Sequence, residues 1–148
     1  MNIRLAVRED ADSLVEFNQA MAQETEGKHL PLDTISRGVA AVFDDPHKGF
    51  YVVAEDGARV VGCLMVTYEW SDWRAGWFWW IQSVYIRPDA RGQRIYSQLY
   101  AFLKSLAAER GDVCGFRLYA ETENRHAQMV YEKVGMHAPR YVMFEEEI

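Results

Sequence analysis

The apolar and polar positions of residues 1–50 predict one strand followed by two helices. Ile3, Leu5 and Val7 alternate with polar residues, as in a strand that is buried on one side. Two helical patterns follow, and Asp10 or Asp12 is suited to cap the first of them. The break at 27–31 separates the two helices, and Asp45-Pro46 ends the second. Their apolar positions are Leu14, Val15, Met21 and Ala22 in the first helix and Leu32, Ile35, Val39, Val42 and Phe43 in the second.

The middle of the chain is predicted to form strands joined by tight turns. The runs at 50–54 and 59–68 are connected through Asp56-Gly57, a strong hairpin signal. A polar turn at 70–76 then leads to a strand at 77–87. Its even positions, from Phe78 to Ile86, and its odd positions, from Trp77 to Tyr85, are both mostly apolar. This pattern is typical of a central strand that is covered on both sides.

Helix and strand patterns alternate in the remainder of the chain. A helix with apolar positions Ile95, Leu99, Phe102, Leu103 and Leu106 is ended by Gly111, and a strand is expected at 116–120. Asn124 is placed to cap a helix that ends at Gly135, and a short strand is expected at 141–144. The order β-α-α-β-β-β-α-β-α-β predicts a single α+β domain over residues 1–148. We expect a central mixed β-sheet flanked by helices on both faces.

The composition and net charge of the chain argue against several kinds of partner. The chain of 148 residues has a formal net charge of −6 and 49% hydrophobic residues, as in a soluble globular domain. The acidic balance argues against a nonspecific nucleic-acid binder and is compatible with a cationic substrate. The most apolar run, 75–86, is too short for a membrane span, and the N-terminus has no signal-peptide pattern. We therefore expect a cytoplasmic protein with no nucleic-acid or membrane partner.

The cysteines and histidines show no metal-ligand spacing. Cys63 and Cys114 each stand alone in an apolar stretch, and the four histidines are scattered. We expect two buried core thiols in a reducing compartment and no metal site.

One strand–turn–helix unit is suited to hold an anion. Ser83-Val-Tyr-Ile-Arg-Pro88 is followed by Asp89-Ala90 and by Arg91-Gly-Gln-Arg-Ile-Tyr96. A helix that begins directly after a central strand presents unpaired N–H groups and the positive end of its dipole, which suit a pyrophosphate. Arg91 and Arg94 add positive charge. The residues alone also permit an ordinary turn with solvated arginines.

A second segment reads Asn124-Arg-His-Ala-Gln-Met-Val-Tyr131-Glu-Lys-Val-Gly135-Met136. Together, the two segments resemble the GNAT superfamily of N-acetyltransferases. In that family the first reads Arg-Gly-x-Gly-x-Gly/Ala after a strand that ends near a proline, and the second has Asn, Ala, Tyr and Gly at the spacing of Asn124, Ala127, Tyr131 and Gly135. The element order matches the family over essentially the whole chain, and the specific motifs cover residues 82–136.

The resemblance implies acetyl-CoA as the cosubstrate. The strand Val84-Tyr85-Ile86 resembles the edge that pairs with the amide-bearing pantetheine arm. Asn124 resembles the residue that hydrogen-bonds this arm, and Tyr131 the residue beside the thioester sulfur. Arg94 and Tyr96 depart from the family pattern, which has small residues there. The segment that resembles the pyrophosphate loop comprises Arg91, Gly92, Gln93, Arg94, Ile95, Tyr96 and Ser97.

The implied reaction is acetyl transfer to the primary amine of a small molecule or amino-acid-like acceptor, by direct attack in a ternary complex. A lysine-like amine has a pKa of about 10.4 and must lose a proton before it attacks. Some relatives carry a glutamate where this chain has Gln82; an amide cannot be a base, so Gln82 is assigned to substrate hydrogen bonding or to a satisfied core amide. Tyr131 is the candidate acid for the thiolate, with a buried core tyrosine as the alternative. The base candidates are Glu69, Asp72, Glu121, Glu123 or a water held by Tyr85.

The segment 68–77 is a candidate wall of the acceptor site. Trp70 and Trp73 can pack on a cationic or apolar substrate, and Glu69 and Asp72 can attract an ammonium group. The alternative is a hairpin turn with aromatic cross-strand packing.

Two functions stay open: an N-acetyltransferase, favoured by Asn124 and Tyr131, and a catalytically silent acyl-CoA-binding or regulatory module of the same fold. The expected partner is a small-molecule amine, and a homodimer is an open expectation for the assembly.

Overall fold

A computed structural model describes residues 1–148, in two compact units, Met1–Leu118 and Tyr119–Ile148. Short 3-10 turns at Arg8–Asp10 and Pro88–Ala90 precede α1 and the loop before α3. The elements of the first unit are β1 Asn2–Leu5, α1 Ala11–Glu26, α2 Leu32–Asp44, β2 Phe50–Asp56, β3 Arg59–Ser71, β4 Gly76–Ile86, α3 Ile95–Arg110 and β5 Val113–Arg117. The second unit contains α4, Arg125–Lys133.

The strands of the first unit form one mixed sheet in the order β1-β2-β3-β4-β5. The pairings from β1 to β4 are antiparallel, and β4 pairs with β5 in parallel. The hairpin predicted at Asp56-Gly57 is confirmed, since Gly57 takes a φ of 62° between β2 and β3. This positive φ belongs to the left-handed region that tight hairpin turns require.

Helices cover both faces of the sheet, as the element order predicts. On one face, Leu14 and Phe17 of α1 and Val39 of α2 pack in a core with Tyr51, Cys63 and Tyr85 of the strands. On the other face, α3 buries Leu99 and Leu103, and the Tyr100 ring meets the Phe116 ring of β5 edge-on at 5.3 Å. The α+β class with a mixed sheet is therefore confirmed.

The glycines predicted to end helices do so in the structure, whereas the predicted cap of α1 is only partly correct. Gly27 and Gly111 end α1 and α3 in the left-handed conformation. Asp10 precedes α1, but its carboxylate accepts from the Val7 N–H at 2.8 Å and from Arg4, so it stabilises the preceding 3-10 turn. The Arg4 guanidinium holds the pKa of the buried Asp10 carboxyl below its usual range. No helix of the chain has both the length and the apolar character needed to cross a membrane.

Three predictions about strand bounds and cysteine burial are wrong. The last strand of the sheet is Val113–Arg117 and not 116–120, because it begins beside Trp77 at the start of β4. Cys63 is buried, but Cys114 is exposed; Cys114 is the extra residue of a register shift opposite Trp77 and Phe78. No strand forms at 141–144, where Tyr141 and Phe144 are 80% and 93% exposed. A short apolar run forms a strand only where another strand pairs with it.

Candidate functional site

The parallel strands β4 and β5 begin together and then part. They pair from Trp77↔Val113 to Trp80↔Arg117, where β5 ends, and β4 continues to Ile86. The segment that follows Trp80 therefore extends beyond the ladder on the β5 side. This segment includes Val84, Tyr85 and Ile86, whose backbone was predicted to pair with the pantetheine arm. A strand edge of this kind can accept an amide-bearing chain.

A β-bulge lies in β4 at Gln82, close to the point where β5 ends. Met65 pairs with Ser83 and Val66 pairs with Ile81, so Gln82 is the extra residue between them. Its side chain is exposed, and Nε2 donates to Thr67 Oγ1 at 2.9 Å. The bulge shifts the alternation of the strand by one residue. The even and odd faces predicted for 77–87 are therefore wrong as continuous sets.

The bulge decides which side chains share a face. Tyr85 and Ser83 pair with Cys63 and Met65 on the α1–α2 side of the sheet. Beyond the bulge, the same side carries Trp80 and Phe78, whose partners in β3 are Thr67 and Glu69. Trp77, Trp79 and Ile81 join Val84 and Ile86 on the α3 side.

The loop at 91–97 turns sharply into α3. Gly92 takes a φ of 81° and Arg94 a φ of 57°, so an arginine holds the left-handed conformation where the family pattern has a glycine. Ile95 and Tyr96 point into the protein, and Tyr96 stacks with Tyr100 at 6.0 Å. Gln98 Nε2 donates to the Gln93 carbonyl at 3.3 Å. Arg94 and Ser97 are exposed, and the first turn of α3 presents its N–H groups at this loop.

The Arg91 side chain forms hydrogen bonds within the protein. Its Nε donates to the Ile86 carbonyl at 3.0 Å, and Nη2 donates to Glu24 Oε2 at 2.9 Å. The Tyr85 hydroxyl donates to the other oxygen of Glu24 at 3.4 Å. Burial, followed by the charge of Glu24, raises the pKa of Tyr85 above its usual value. Glu24 thus connects the end of α1 with the loop, a role that the sequence analysis did not assign.

In the second unit, Asn124 immediately precedes α4 and Tyr131 lies within it. The Asn124 side-chain oxygen accepts from the Ala127 N–H at 3.1 Å, so the predicted cap is confirmed. Gly135 follows the helix with a φ of 101°, and the Met136 N–H donates to the Tyr131 carbonyl at 3.1 Å. Burial raises the pKa of the Tyr131 phenol, which therefore keeps its proton at neutral pH.

The candidate bases differ in environment. Glu69 Oε1 accepts from Trp80 Nε1 at 2.7 Å, and Arg117 Nη1 donates to both of its carboxylate oxygens at 2.9 and 3.1 Å. The Trp80 hydrogen bond, aided by Arg117, lowers the pKa of Glu69 below its usual range, so this carboxylate is a weak proton acceptor. Asp72, Glu121 and Glu123 are exposed. Arg117 was missed because its partner is 48 residues away in the sequence.

The other predicted acceptor-site residues lie at the β3–β4 hairpin. Trp70 contacts Trp77 edge-on at 5.1 Å, and Trp73 is 92% exposed in the turn beside Asp72. This hairpin is at the start of β4, whereas the loop at 91–97 follows the end of β4. The structure therefore does not bring Trp70, Trp73 and Asp72 together with the loop.

Comparisons with known proteins agree on the fold. Residues 11–136 match the model of the acetyltransferase (GNAT) family. The aminoalkylphosphonate N-acetyltransferase of Salmonella typhimurium is 30% identical over 109 residues, which are 74% of this chain and 68% of that protein. A crystal structure of a possible acetyltransferase from Clostridium difficile 630 is 41% identical with a TM-score of 0.93, covering 99% of this chain and 97% of that chain. An aminoglycoside N-acetyltransferase in complex with CoA shares the fold, with a TM-score of 0.82, 14% identity and coverage of 99% of this chain and 93% of that one.

Proposed function

Because the chain belongs to the acetyltransferase (GNAT) family, we propose that it transfers the acetyl group of acetyl-CoA to the primary amine of a small molecule. The amine attacks directly in a ternary complex. The observation that carries this proposal is the end of the β4–β5 ladder at Trp80↔Arg117, with β4 continuing to the loop before α3. The N-acetyltransferase relative from Salmonella supports an amine as the acceptor.

The residues present fit coenzyme A. The part of β4 beyond Trp80 offers a strand edge for the amides of the pantetheine arm. The left-handed turns at Gly92 and Arg94 bring the backbone round to the N-terminal end of α3, where N–H groups and the helix dipole favour a pyrophosphate. The exposed Arg94 side chain adds a cation at this end. Asn124 is proposed to hydrogen-bond the arm through the amide nitrogen that its capping role leaves available.

Bound acetyl-CoA supplies an acetyl group that is activated as a thioester. Tyr131 is proposed to donate its phenolic proton to the departing thiolate, since a phenol of ordinary pKa about 10 is protonated at neutral pH and burial shifts its pKa further upward. Gln82 is proposed to hold the acceptor by hydrogen bonding, because the bulge exposes it just beyond the end of the ladder. Glu69 is the least suited of the candidate bases, since Arg117 and Trp80 already occupy its oxygens.

Release of free thiol from acetyl-CoA, measured against a panel of primary amines, tests the proposal. Turnover with at least one amine is expected. Saturable binding of acetyl-CoA without turnover of any amine would instead indicate the catalytically silent acyl-CoA-binding module.

Tyr131→Phe tests the proposed acid. The change removes one hydroxyl and keeps the ring, so the single-turnover rate should fall by roughly 10²–10⁴-fold. Affinity for acetyl-CoA should stay nearly constant, because the proton is transferred only in the transition state. Tyr119→Phe is the matched control, since this exposed tyrosine has no proposed role. A Tyr131→Phe protein with the full single-turnover rate would show that Tyr131 is a packing residue.

A further inference from the structure

Two arginine side chains lie close to the ring of Phe78, near the end of the β4–β5 ladder. The Arg117 guanidinium carbon lies 3.6 Å from the centre of the Phe78 ring, and that of Arg74 lies 5.0 Å from it. Phe78 is only 8% exposed, although its neighbours on this face are partly open to solvent. We call Arg74, Phe78, Arg117 and Glu69 the arginine cluster. None of these contacts was foreseen from the sequence.

The fold holds the ring of this cluster in place. A Cβ atom at Gly115 would lie 2.7 Å from the nearest Phe78 ring atom, so a larger residue there would displace the ring. Gly115 therefore lets Phe78 lie over β5, where Arg117 stacks on it. A guanidinium that stacks through its face keeps its in-plane N–H groups for hydrogen bonds.

Some guanidinium N–H groups of the arginine cluster are not used in hydrogen bonds to Glu69. Arg117 uses only Nη1 to bind Glu69, which leaves the Nε–Nη2 edge of the guanidinium for another acceptor. This edge matches the two oxygens of a carboxylate or phosphonate. Arg74 is exposed in the hairpin turn and adds a second positive charge. Since Glu69 is the one acid of the cluster, two guanidiniums face one carboxylate, with a net positive charge.

The position of the cluster relates it to the proposed reaction. Phe78 precedes Trp80, the last β4 residue of the ladder, by two positions, which is about 7 Å along a strand. The cluster shares its face of the sheet with Trp80, and Gln82 Nε2 binds Thr67 on that same face. Gln82 follows Phe78 by four positions, which is about 13 Å along a strand, so one short acceptor reaches both only where the Arg117 and Gln82 side chains extend toward each other.

We propose that the arginine cluster binds an oxyanion on the acceptor, so that the substrate class is short amines that carry a carboxylate or phosphonate group. This inference rests on the proposed function. No covalent step beyond the acetyl transfer is involved. The amine nitrogen attacks the thioester carbon, so that the amide C–N bond forms and the C–S bond breaks. The amine gives a proton to water, the departing thiolate takes the proton of Tyr131, and water returns a proton to Tyr131. The oxyanion takes no part in these bond changes.

Four acceptors of matched length test the substrate class: aminoethylphosphonate, β-alanine, propylamine and ethylenediamine. The two anionic acceptors should have a kcat/KM at least about 10-fold above propylamine, which reflects a charge-assisted hydrogen bond. The kcat/KM of aminoethylphosphonate relative to that of β-alanine then shows whether the cluster prefers a phosphonate or a carboxylate. Preference for propylamine or ethylenediamine would overturn the inference while leaving the acetyltransferase proposal intact.

Variants assign the effect to the cluster. Arg117→Lys keeps the charge but loses the bidentate edge, and it should lower the ratio of anionic to neutral kcat/KM by about 10- to 100-fold. Arg74→Ala should lower the same ratio while leaving the hydrogen bonds of Glu69 to Trp80 and Arg117 in place. Arg37→Ala is the control, because Arg37 is an exposed arginine of α2 that pairs with Asp33. An unchanged ratio in both cluster variants would overturn the inference.

A binding measurement covers the case in which no amine is acetylated. Tryptophan fluorescence is suited to it, since Trp80 hydrogen-bonds Glu69 of the cluster. Saturable binding of aminoethylphosphonate or β-alanine that is weakened in Arg74→Ala would support the anion site even though the proposed function had failed. Absence of any binding would overturn the anion site, whereas the proposed function is decided separately by the turnover assay.

Discussion

Replacing Arg94 separates backbone strain from side-chain charge. Arg94 precedes α3 with φ 57° and ψ 33°, in the left-handed region, which costs a residue with a Cβ roughly 1–2 kcal/mol. Glycine relieves this strain but loses about 0.4–1 kcal/mol through the greater entropy of the unfolded chain. Arg94→Gly should therefore be more stable than Arg94→Ala by about 1 kcal/mol, or about 3 °C in Tm for a domain of this size.

Two sites provide controls for this comparison. Gln93 is not among the residues with positive φ, so Gln93→Gly should be less stable than Gln93→Ala. Ala75 takes a φ of 47° in the β3–β4 turn, and Ala75→Gly should be stabilising there. Urea unfolding at neutral pH measures all five variants. Equal stability of Arg94→Gly and Arg94→Ala, with the expected order at Gln93, would refute the strain argument.

The same variants test the charge of Arg94 toward CoA. Both remove the guanidinium, so both should bind CoA more weakly and with less dependence on salt if this group meets a phosphate. Arg94→Gly keeps the loop conformation and should bind at least as well as Arg94→Ala. Isothermal titration at two salt concentrations measures these affinities. Parent affinity in both variants would show that the backbone alone holds the pyrophosphate.

Three further outcomes are expected. CoA and acetyl-CoA should each raise Tm, by a free energy of about 2.7 kcal/mol at a hundredfold excess over Kd, and no shift in a thermal scan would argue against the site. Glu24→Gln should raise KM for acetyl-CoA through Arg91 but change stability by less than about 1 kcal/mol, because the Arg91–Glu24 pair is half-exposed; an unchanged KM would show that the pair does not position the loop. The pKa of Asp10 is depressed in the fold, so its contribution is present above the usual carboxyl pKa and is lost as pH falls toward the folded value. The stability difference between the parent and Asp10→Asn should accordingly shrink in urea unfolding as the pH falls below the ordinary carboxyl pKa of 3.8, and a constant difference would contradict the assignment to Arg4.

Features encoded by neighbouring residues were predictable from the sequence. The Asp56-Gly57 hairpin, the glycine ends of α1 and α3 and the Asn124 cap each depend on a few adjacent residues. Their backbone chemistry has few alternatives, because left-handed turns favour glycine and a helix start favours a residue whose side chain accepts from the first N–H groups. The order of elements follows from such local signals, and the fold class follows from the order.

Contacts between distant segments were not predictable. Arg91 binds Glu24, which is 67 residues away, and Arg117 reaches Glu69 across β4. A single sequence contains no signal for the partner of a particular arginine, since acidic residues are frequent throughout the chain. The pyrophosphate loop was therefore located by its motif, while the second contact of Arg91 required the structure.

The bulge at Gln82 shows why a central strand conceals the arrangement of its own faces. Where both faces of a strand are apolar, a shift of one residue leaves the hydrophobic pattern almost unchanged, and the sequence cannot reveal it. The chemical result is nevertheless large. Without the extra residue, Trp80 and Phe78 would share a face with Val84 and Ile86 on the α3 side. Trp80 could not then donate to Glu69, and Phe78 could not lie beneath Arg117. The polar face beside the end of the β4–β5 ladder therefore exists because Gln82 is an extra residue of β4 that has no partner in β3.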